Sequence, residues 1–151
     1  MKITENFTLE EFVTSQPASR FGINNTPTDA VIRNIKKLCE TILQPARTAL
    51  GPLIVSSGYR CPQLNSAVGG SKTSAHMEGF AADITPVKVT KLEFAYWVIK
   101  NCPFDQVIFE FGTRENPDWI HVSADPRHRK EVWRFLYGIP PERIPSDRSP
   151  K

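Results

Sequence analysis

Two histidines and one aspartate form a pattern that suits the binding of a metal ion. His76 and Asp83 lie close together in the sequence, and His121 follows within the apolar segment 119–123. Two imidazoles and one carboxylate are a borderline-soft ligand set suited to zinc, and three protein ligands leave the fourth tetrahedral position open, which is typical of catalytic zinc sites. A single histidine in a strand is more often an ordinary core residue, so this interpretation depends on the three residues occurring together.

The segments around these residues predict how their side chains are positioned. His76 lies in a loop, Asp83 in the short strand that follows, and His121 in the middle of a later strand. Because side chains alternate along a strand, His121 points to one face, and Ile120 and Val122 point to the other. The same rule separates Asp83 from its apolar neighbours. The predicted ligands therefore point away from the apolar side chains of their strands.

The three residues belong to a longer motif with fixed spacing. It reads Ser74-x-His76-x-x-Gly79-x-Ala81-x-Asp83, followed by Trp119-x-His121. This motif resembles that of the zinc D-Ala-D-Ala carboxypeptidases and the related phage endolysins, which are M15-type peptidases. Residues 56–71 resemble the SGYR segment of that family and its following loop, and residues 104–110 resemble the branch found in phages and prophages. The resemblance is strong over residues 55–123.

The resemblance implies a fold, a cofactor and several residue roles. The fold is that of these peptidases and the Hedgehog signalling domain: an α+β fold with a small antiparallel sheet, backed by helices, and zinc on its open face. His76, Asp83 and His121 would hold the zinc ion. Arg60 would bind a substrate carboxylate or stabilise the oxyanion, and Ser74 would contact the substrate. A guanidinium suits the first role because its planar donors match a carboxylate.

The resemblance also implies a catalytic base. In the family, an acidic residue three positions before the last histidine takes this role, and the corresponding residue is Asp118. Strict alternation would point Asp118 away from His121, so we expect it in a turn that leads into the strand. Glu110 is the alternative, because Gln106, Ile108 and Glu110 share one strand face. On that face Gln106 is a further candidate for substrate binding.

Capping patterns and apolar spacing predict three helical segments in the first hundred residues. Thr8 is a candidate cap for a short helix, and Thr26 caps the main helix, with Pro27 at its first position. Pro45 is expected to kink the last turn of the main helix. Thr90 caps another helix. The main helix carries an apolar stripe at helical spacing: Val31, Ile35, Leu38, Ile42 and Ala46.

The rest of the chain predicts strands, one long loop and a tail. Apolar runs indicate strands at 53–55, 106–111 and 119–123, and residues 58–79 read as a loop. Residues 127–137 are predicted to be helical. The zinc peptidase domain would therefore span residues 1–138. Residues 139–151 form a proline-rich tail, with too many prolines for a packed element.

Composition excludes several classes of protein. The chain has 151 residues, enough for one domain with a substantial core, and a net charge of +3. This small excess argues against a dedicated nucleic-acid binder, although it suits weak attraction to an anionic cell wall. The three cysteines include no CxxC pair, so we expect reduced thiols and no thiolate zinc site.

The N-terminal sequence and the apolar segments predict where the protein is made and acts. Residues 1–6 lack the apolar region of a signal peptide, and no run of about 18 apolar residues is present. We expect synthesis in the cytoplasm, and action on the cell wall after release or as a virion component. A monomer is expected.

Two hypotheses for the function follow. The first is a zinc peptidase that hydrolyses peptides containing D-amino acids in bacterial peptidoglycan, either as a carboxypeptidase or as an endolysin-type endopeptidase acting on the stem peptides. The alternative is a non-catalytic, zinc-stabilised module that binds the cell wall or serves as a virion structural component. The candidate base and Arg60, beside a ligand set with an open position, favour the enzyme.

Overall fold

A six-stranded sheet with helices on one face forms the centre of the fold. The computed structural model describes residues 1–145. The helices are α1 (Leu9–Val13), α2 (Gln16–Phe21), α3 (Asp29–Leu38), α4 (Gln44–Leu50), α5 (Pro62–Ala67) and α6 (Lys91–Asn101). The strands are β1 (Lys2–Thr4), β2 (Phe7–Thr8), β3 (Leu53–Ser57), β4 (Ala81–Pro86), β5 (Gln106–Glu110), β6 (Trp119–Ser123), β7 (Glu131–Phe135) and β8 (Glu142–Ile144).

The main sheet is mixed and not wholly antiparallel. Its strand order is β3-β4-β6-β5-β7-β8, and β1 and β2 form a separate two-stranded sheet. Neighbouring strands of the main sheet are antiparallel except β5 and β7, which are parallel. The prediction of an antiparallel sheet is wrong at this pair. The end of β6 lies beside the start of β5. The connection after β6 is short, so β7 begins at that same end of the sheet. β7 therefore runs alongside β5 in the same direction.

The C-terminal part of the described chain is extended and not helical. The helix predicted over 127–137 is wrong, because β7 occupies this region and lies between β5 and β8. His128 and Lys130 have φ values of 48° and 53°, which no helix accommodates. The prediction that residues 139–151 hold no packed element is also wrong for β8, which pairs with β7. The sheet thus extends past the predicted boundary at residue 138, and residues 146–151 lie outside the described part.

The long N-terminal helix begins two residues later than predicted. Thr28 is the cap of α3, and its Oγ1 accepts a hydrogen bond from the Val31 backbone N–H at 3.2 Å. Thr26 instead donates its hydroxyl to Asn24 Oδ1 at 2.6 Å. The predicted apolar stripe is confirmed as buried. A π-helical segment, Cys39–Leu43, joins α3 to α4 directly before Pro45, where the proline ring would clash with a regular preceding turn.

The helices cover one face of the sheet and leave the other for the site. Val107 and Phe109 of β5, with Ile120 and Val122 of β6, are fully or almost fully buried in the core. Because strands alternate, Gln106, Ile108 and Glu110 lie on the opposite face. The helix predicted at Thr90 is confirmed as α6: Glu93 N–H donates to Thr90 Oγ1 at 3.0 Å and the carboxylate of Glu93 accepts from Thr90 N–H.

The segment predicted as a loop over 58–79 contains two helical turns. The helix α5 begins after Cys61, whose Sγ accepts a hydrogen bond from the Leu64 backbone N–H. A 3₁₀ turn, Ala75–Glu78, carries His76. Cys39, Cys61 and Cys102 are free thiols, as predicted. Within residues 1–145, no helix combines the length and apolar character that crossing a membrane requires.

Candidate metal centre

The predicted ligands meet on the open face of the sheet. Asp83 on β4 pairs directly with His121 on β6, so both side chains lie on the same face. The 3₁₀ turn brings His76 over them. Asp83 Oδ1 lies 3.3 Å from His76 Nε2 and 3.3 Å from His121 Nδ1. One ligand atom from each residue lies within 4.8 Å of the other two, so the group could hold a single metal ion.

The hydrogen bonding of His76 fits this role. Its Nδ1 lies 2.7 Å from the backbone carbonyl oxygen of Gly58. A carbonyl can only accept, so Nδ1 carries a proton and Nε2 is the ring nitrogen that faces Asp83. An imidazole nitrogen and a carboxylate oxygen that face each other at 3.3 Å attract when a proton or a metal cation lies between them. This arrangement, in which a backbone carbonyl orients a histidine, is typical of metal ligands.

The environment keeps Asp83 ionised. Burial alone would raise the pKa of its carboxyl group, but the adjacent rings of His76 and His121 outweigh burial and hold the pKa well below its usual range. Both imidazoles are buried, with 2% and 7% of their residue surfaces exposed. A deprotonated carboxylate and neutral imidazoles are the forms that bind metal ions.

The two candidate bases lie in different places. Glu110 is on the open face of β5, and its Oε1 lies 3.7 Å from His121 Nδ1. Burial raises the pKa of Glu110, with His121 opposing the increase and Asp83 adding to it. Asp118 is exposed and its carboxylate lies near Gly112, while its backbone N–H donates to the Glu110 carbonyl. Asp118 lies in a bend that leads into β6, as expected, but this bend leaves the residue exposed and outside the cleft over the ligands.

Arg60 and Ser74 lie beside the ligands and are bonded to each other. Arg60 Nη2 donates to Ser74 Oγ at 3.3 Å, and Ser74 Oγ also accepts from the His76 backbone N–H at 3.2 Å. The Nε of Arg60 is buried and has no hydrogen-bond partner within the described residues. Burial lowers the pKa of Arg60, and the nearby carboxylates of Asp83 and Glu110 oppose this shift. The guanidinium of Arg60 thus lies in the cleft beside the ligands, with its Nε enclosed by protein atoms.

A cleft of about 740 Å³ lies over the ligands. Its lining includes every predicted site residue except Asp118: Arg60, Ser74, His76, Asp83, Gln106, Glu110 and His121. Gln106 donates from Nε2 to Glu131 Oε1 at 2.8 Å. One wall is the segment 68–75, and the other is the open face of β7 with Trp133 and Phe135. The register places Trp133 two strands beyond His121, roughly 10 Å away.

Several of these features had no signal in the sequence. The Gly58 carbonyl that orients His76 is a backbone group, so no side-chain pattern identifies it. The β7 wall depends on long-range pairing with β5. Arg127 and Arg129 also line the cleft, and they were missed because residues 127–137 were read as a helix.

The fold and the site together define a class of protein. The candidate ligands are buried but open on one side to a cleft, and a carboxylate and a guanidinium lie beside them. This arrangement is typical of metallohydrolases. The chain belongs to the Peptidase M15 family, since the model of that family matches residues 5–123. The matched region contains all three candidate ligands, Arg60 and Glu110. Peptidases of this family are generally zinc-dependent. A search of curated proteins found no match.

Proposed function

We propose that this peptidase is zinc-dependent and hydrolyses peptides containing D-amino acids in the stem peptides of bacterial peptidoglycan. The observation that carries the proposal is the convergence of His76, Asp83 and His121 at the base of an open cleft, in a chain of a peptidase family. The earlier resemblance to D-Ala-D-Ala carboxypeptidases and phage endolysins supports the substrate class. On this proposal the protein acts as a monomer, and it reaches the wall after release or as part of a virion.

In this proposal the three ligands hold the metal ion, and a separate base transfers the proton. A bound zinc ion supplies Lewis-acid polarisation and makes water more acidic. His76 and His121 would offer imidazole nitrogens and Asp83 a carboxylate oxygen, so the three residues would provide the coordination that zinc prefers. Glu110 accepts the proton of the attacking water at Oε1 and then delivers it to the leaving amine, while the carbon–nitrogen bond breaks.

Glu110 takes the place of Asp118 in this proposal. The carboxylate of Glu110 lines the cleft and lies 3.7 Å from a ligand nitrogen, whereas Asp118 is exposed and does not line the cleft. A base must lie within hydrogen-bond reach of the proton that it removes, directly or through one water. The raised pKa of Glu110, caused first by burial, also suits a group that must take up a proton during turnover.

Arg60, Ser74 and Gln106 bind the substrate in this proposal. The guanidinium of Arg60 lines the cleft and would bind the carboxylate or the oxyanion of the peptide, and Ser74 holds its Nη2 in place. Gln106 offers its side-chain oxygen, because its amide nitrogen already donates to Glu131. Arg60 and Gln106 are each held by a hydrogen bond before the substrate arrives, which lowers the entropic cost of binding.

Replacing Arg60 by lysine is expected to reduce turnover by about a hundredfold, because lysine keeps the charge but loses the planar donor fork. The measurement is kcat/KM on one wall peptide, together with the melting temperature. The exposed Arg20→Lys is the matched control and is expected to behave as the wild type. If Arg60 merely held the segment 58–79 to the sheet, activity and melting temperature would fall together. Equal activity of Arg60→Lys and the wild type would remove Arg60 from the mechanism.

Metal dependence tests the proposal as a whole. Purified peptidoglycan is incubated with the protein, with the protein and a chelator, and with chelated protein to which zinc is returned, and released fragments are analysed by mass spectrometry. We expect fragments that the chelator abolishes and zinc restores, and their masses identify the bond that is cut. Turnover unaffected by the chelator would contradict a metal mechanism. Zinc-dependent binding to peptidoglycan without released fragments would favour the non-catalytic module instead.

A further inference from the structure

Two arginines lie at one end of the cleft, and none of the roles assigned above uses them. Arg127 and Arg129 line the cleft in the connection between β6 and β7. Their side chains are 54% and 32% exposed, so both keep surface that solvent can reach, and Arg127 also lines a neighbouring pocket. This end of the sheet is where β5 begins and β6 ends, and Gln106 and Glu131 form its neighbouring part of the wall.

Each arginine is fixed by a buried aspartate on its far side. Arg129 donates from Nε and Nη2 to the two oxygens of Asp105, at 3.2 and 2.7 Å, and Asp105 is fully buried. Arg127 makes the same paired contact with Asp125, at 3.1 and 2.9 Å, and 6% of Asp125 is exposed. Paired contacts of this kind fix the plane of a guanidinium as well as its position.

The contacts with the aspartates leave donors unused. A guanidinium has five N–H donors, and each pair engages only Nε and Nη2. Within residues 1–145, the Nη1 groups of Arg127 and Arg129 make no hydrogen bond to the protein. The nearby Glu131 already accepts from Gln106 at 2.8 Å and lies 3.6 Å from Arg143. The exposed edges of both arginines therefore remain available for an anion in the cleft.

The backbone of the connection between β6 and β7 is held in an energetically unfavourable conformation. His128 and Lys130 lie in the left-handed region, with φ values of 48° and 53°. Side-chain-bearing residues persist there only where surrounding contacts hold them. Here the Asp105 side chain accepts from the Arg129 backbone N–H at 2.7 Å, and the Asp125 carbonyl accepts from the His128 N–H at 3.0 Å. The same two aspartates thus fix both the backbone and the guanidinium groups.

We propose that Arg127 and Arg129 form a subsite for a carboxylate of the peptide substrate, and that this subsite makes the enzyme prefer acidic peptides. The inference rests on the proposed function, since it assigns a specificity determinant to that cleft. Guanidinium groups with unused donors are the chemistry that recognises a carboxylate. A carboxamide at the same position of the substrate would bind less well. Its oxygen can accept a hydrogen bond but carries no negative charge, and its N–H₂ group is a donor that cannot bond to the donors of the arginines.

The test compares matched substrates and variants. Two wall peptides are prepared that differ only in one free carboxylate, which is an amide in the second, and pairs are made for each carboxylate position of the stem peptide. For at least one pair, the wild type is expected to prefer the acid by about tenfold in kcat/KM, the typical effect of one hydrogen bond to a charged group. Arg127→Gln is expected to bring that preference close to one through a higher KM for the acid.

Two further variants keep the test decisive. Arg127→Lys retains the charge without the fork and is expected to show an intermediate preference. Arg114→Gln is the matched control, because Arg114 is 48% exposed, pairs with Glu142 and does not line the cleft. It should prefer the acid as strongly as the wild type. Melting temperatures confirm that each variant is folded, since loss of Arg127 leaves the charge of Asp125 with fewer partners.

The outcomes separate this inference from the proposed function. A wild type that cuts no wall peptide would overturn the proposed function and the subsite with it. A wild type that cuts the acid and amide peptides of every pair equally would overturn the subsite alone. A preference for the acid that survives unchanged in folded Arg127→Gln would also overturn it, because another group would then bind the carboxylate.

Discussion

Replacing His121 by alanine is expected to remove bound zinc and to abolish hydrolysis completely. His121 supplies one of three ligand atoms, and its ring lies 3.3 Å from Asp83 Oδ1, so its loss leaves two ligands and a buried carboxylate with fewer partners. Two ligands cannot fix the geometry of a catalytic zinc site. The measurements are zinc per chain by elemental analysis, and fragment release from peptidoglycan.

The control for this prediction uses the remaining histidine. His128 is exposed and is not part of the metal-binding group, so His128→Ala should retain one zinc ion per chain. Circular dichroism is measured for both variants, because removing a buried ring could also disturb the sheet. Full zinc content in folded His121→Ala would contradict the assignment of this ligand. A folded variant without zinc but with full activity would contradict the metal mechanism.

Replacing Glu110 by glutamine is expected to lower kcat by roughly a hundredfold to ten-thousandfold, the range that general acid–base catalysis contributes. Glutamine has nearly the same shape but cannot take up the proton of the attacking water. Zinc should remain bound, because Glu110 is not one of the three residues whose ligand atoms converge. The measurements are kcat on one wall peptide and zinc content for the same preparation.

Asp118→Asn provides the comparison for Glu110. It makes the same chemical change in a carboxylate that is exposed and lies outside the cleft. We therefore expect nearly normal turnover from Asp118→Asn. An active Glu110→Gln and an inactive Asp118→Asn would show that the base had been assigned to the wrong residue. Loss of zinc from Glu110→Gln would indicate that Glu110 serves the metal centre and not proton transfer.

The two carboxylates also show where a resemblance and a local rule disagreed. The family pattern pointed to Asp118, while strand alternation put its side chain on the face opposite His121. In the structure Asp118 lies in a bend just before β6, and its backbone N–H donates to the Glu110 carbonyl at 2.9 Å. The bend was expected, but it leaves Asp118 exposed and outside the cleft.

The sequence by itself determined the features that depend on neighbouring residues. The apolar stripe of the long helix, the capped helix after Thr90 and the strands around Asp83 and His121 follow from local periodicity and capping. The same local pattern identified the three residues that converge in the structure. The motif marks these residues by type and spacing, whereas the pairing of Asp83 with His121 depends on the register between β4 and β6.

Only the tertiary structure decided the features that depend on distant pairing. The segment that became β7 had a helical pattern, yet it extends because it pairs with β5, and β8 then joins β7 despite its flanking prolines. That arrangement builds the second wall of the cleft and brings Arg127 and Arg129 to its end. The position of Glu110 beside His121 likewise comes from strand register. Register and strand order are set by contacts between segments far apart in the chain, which no local pattern contains.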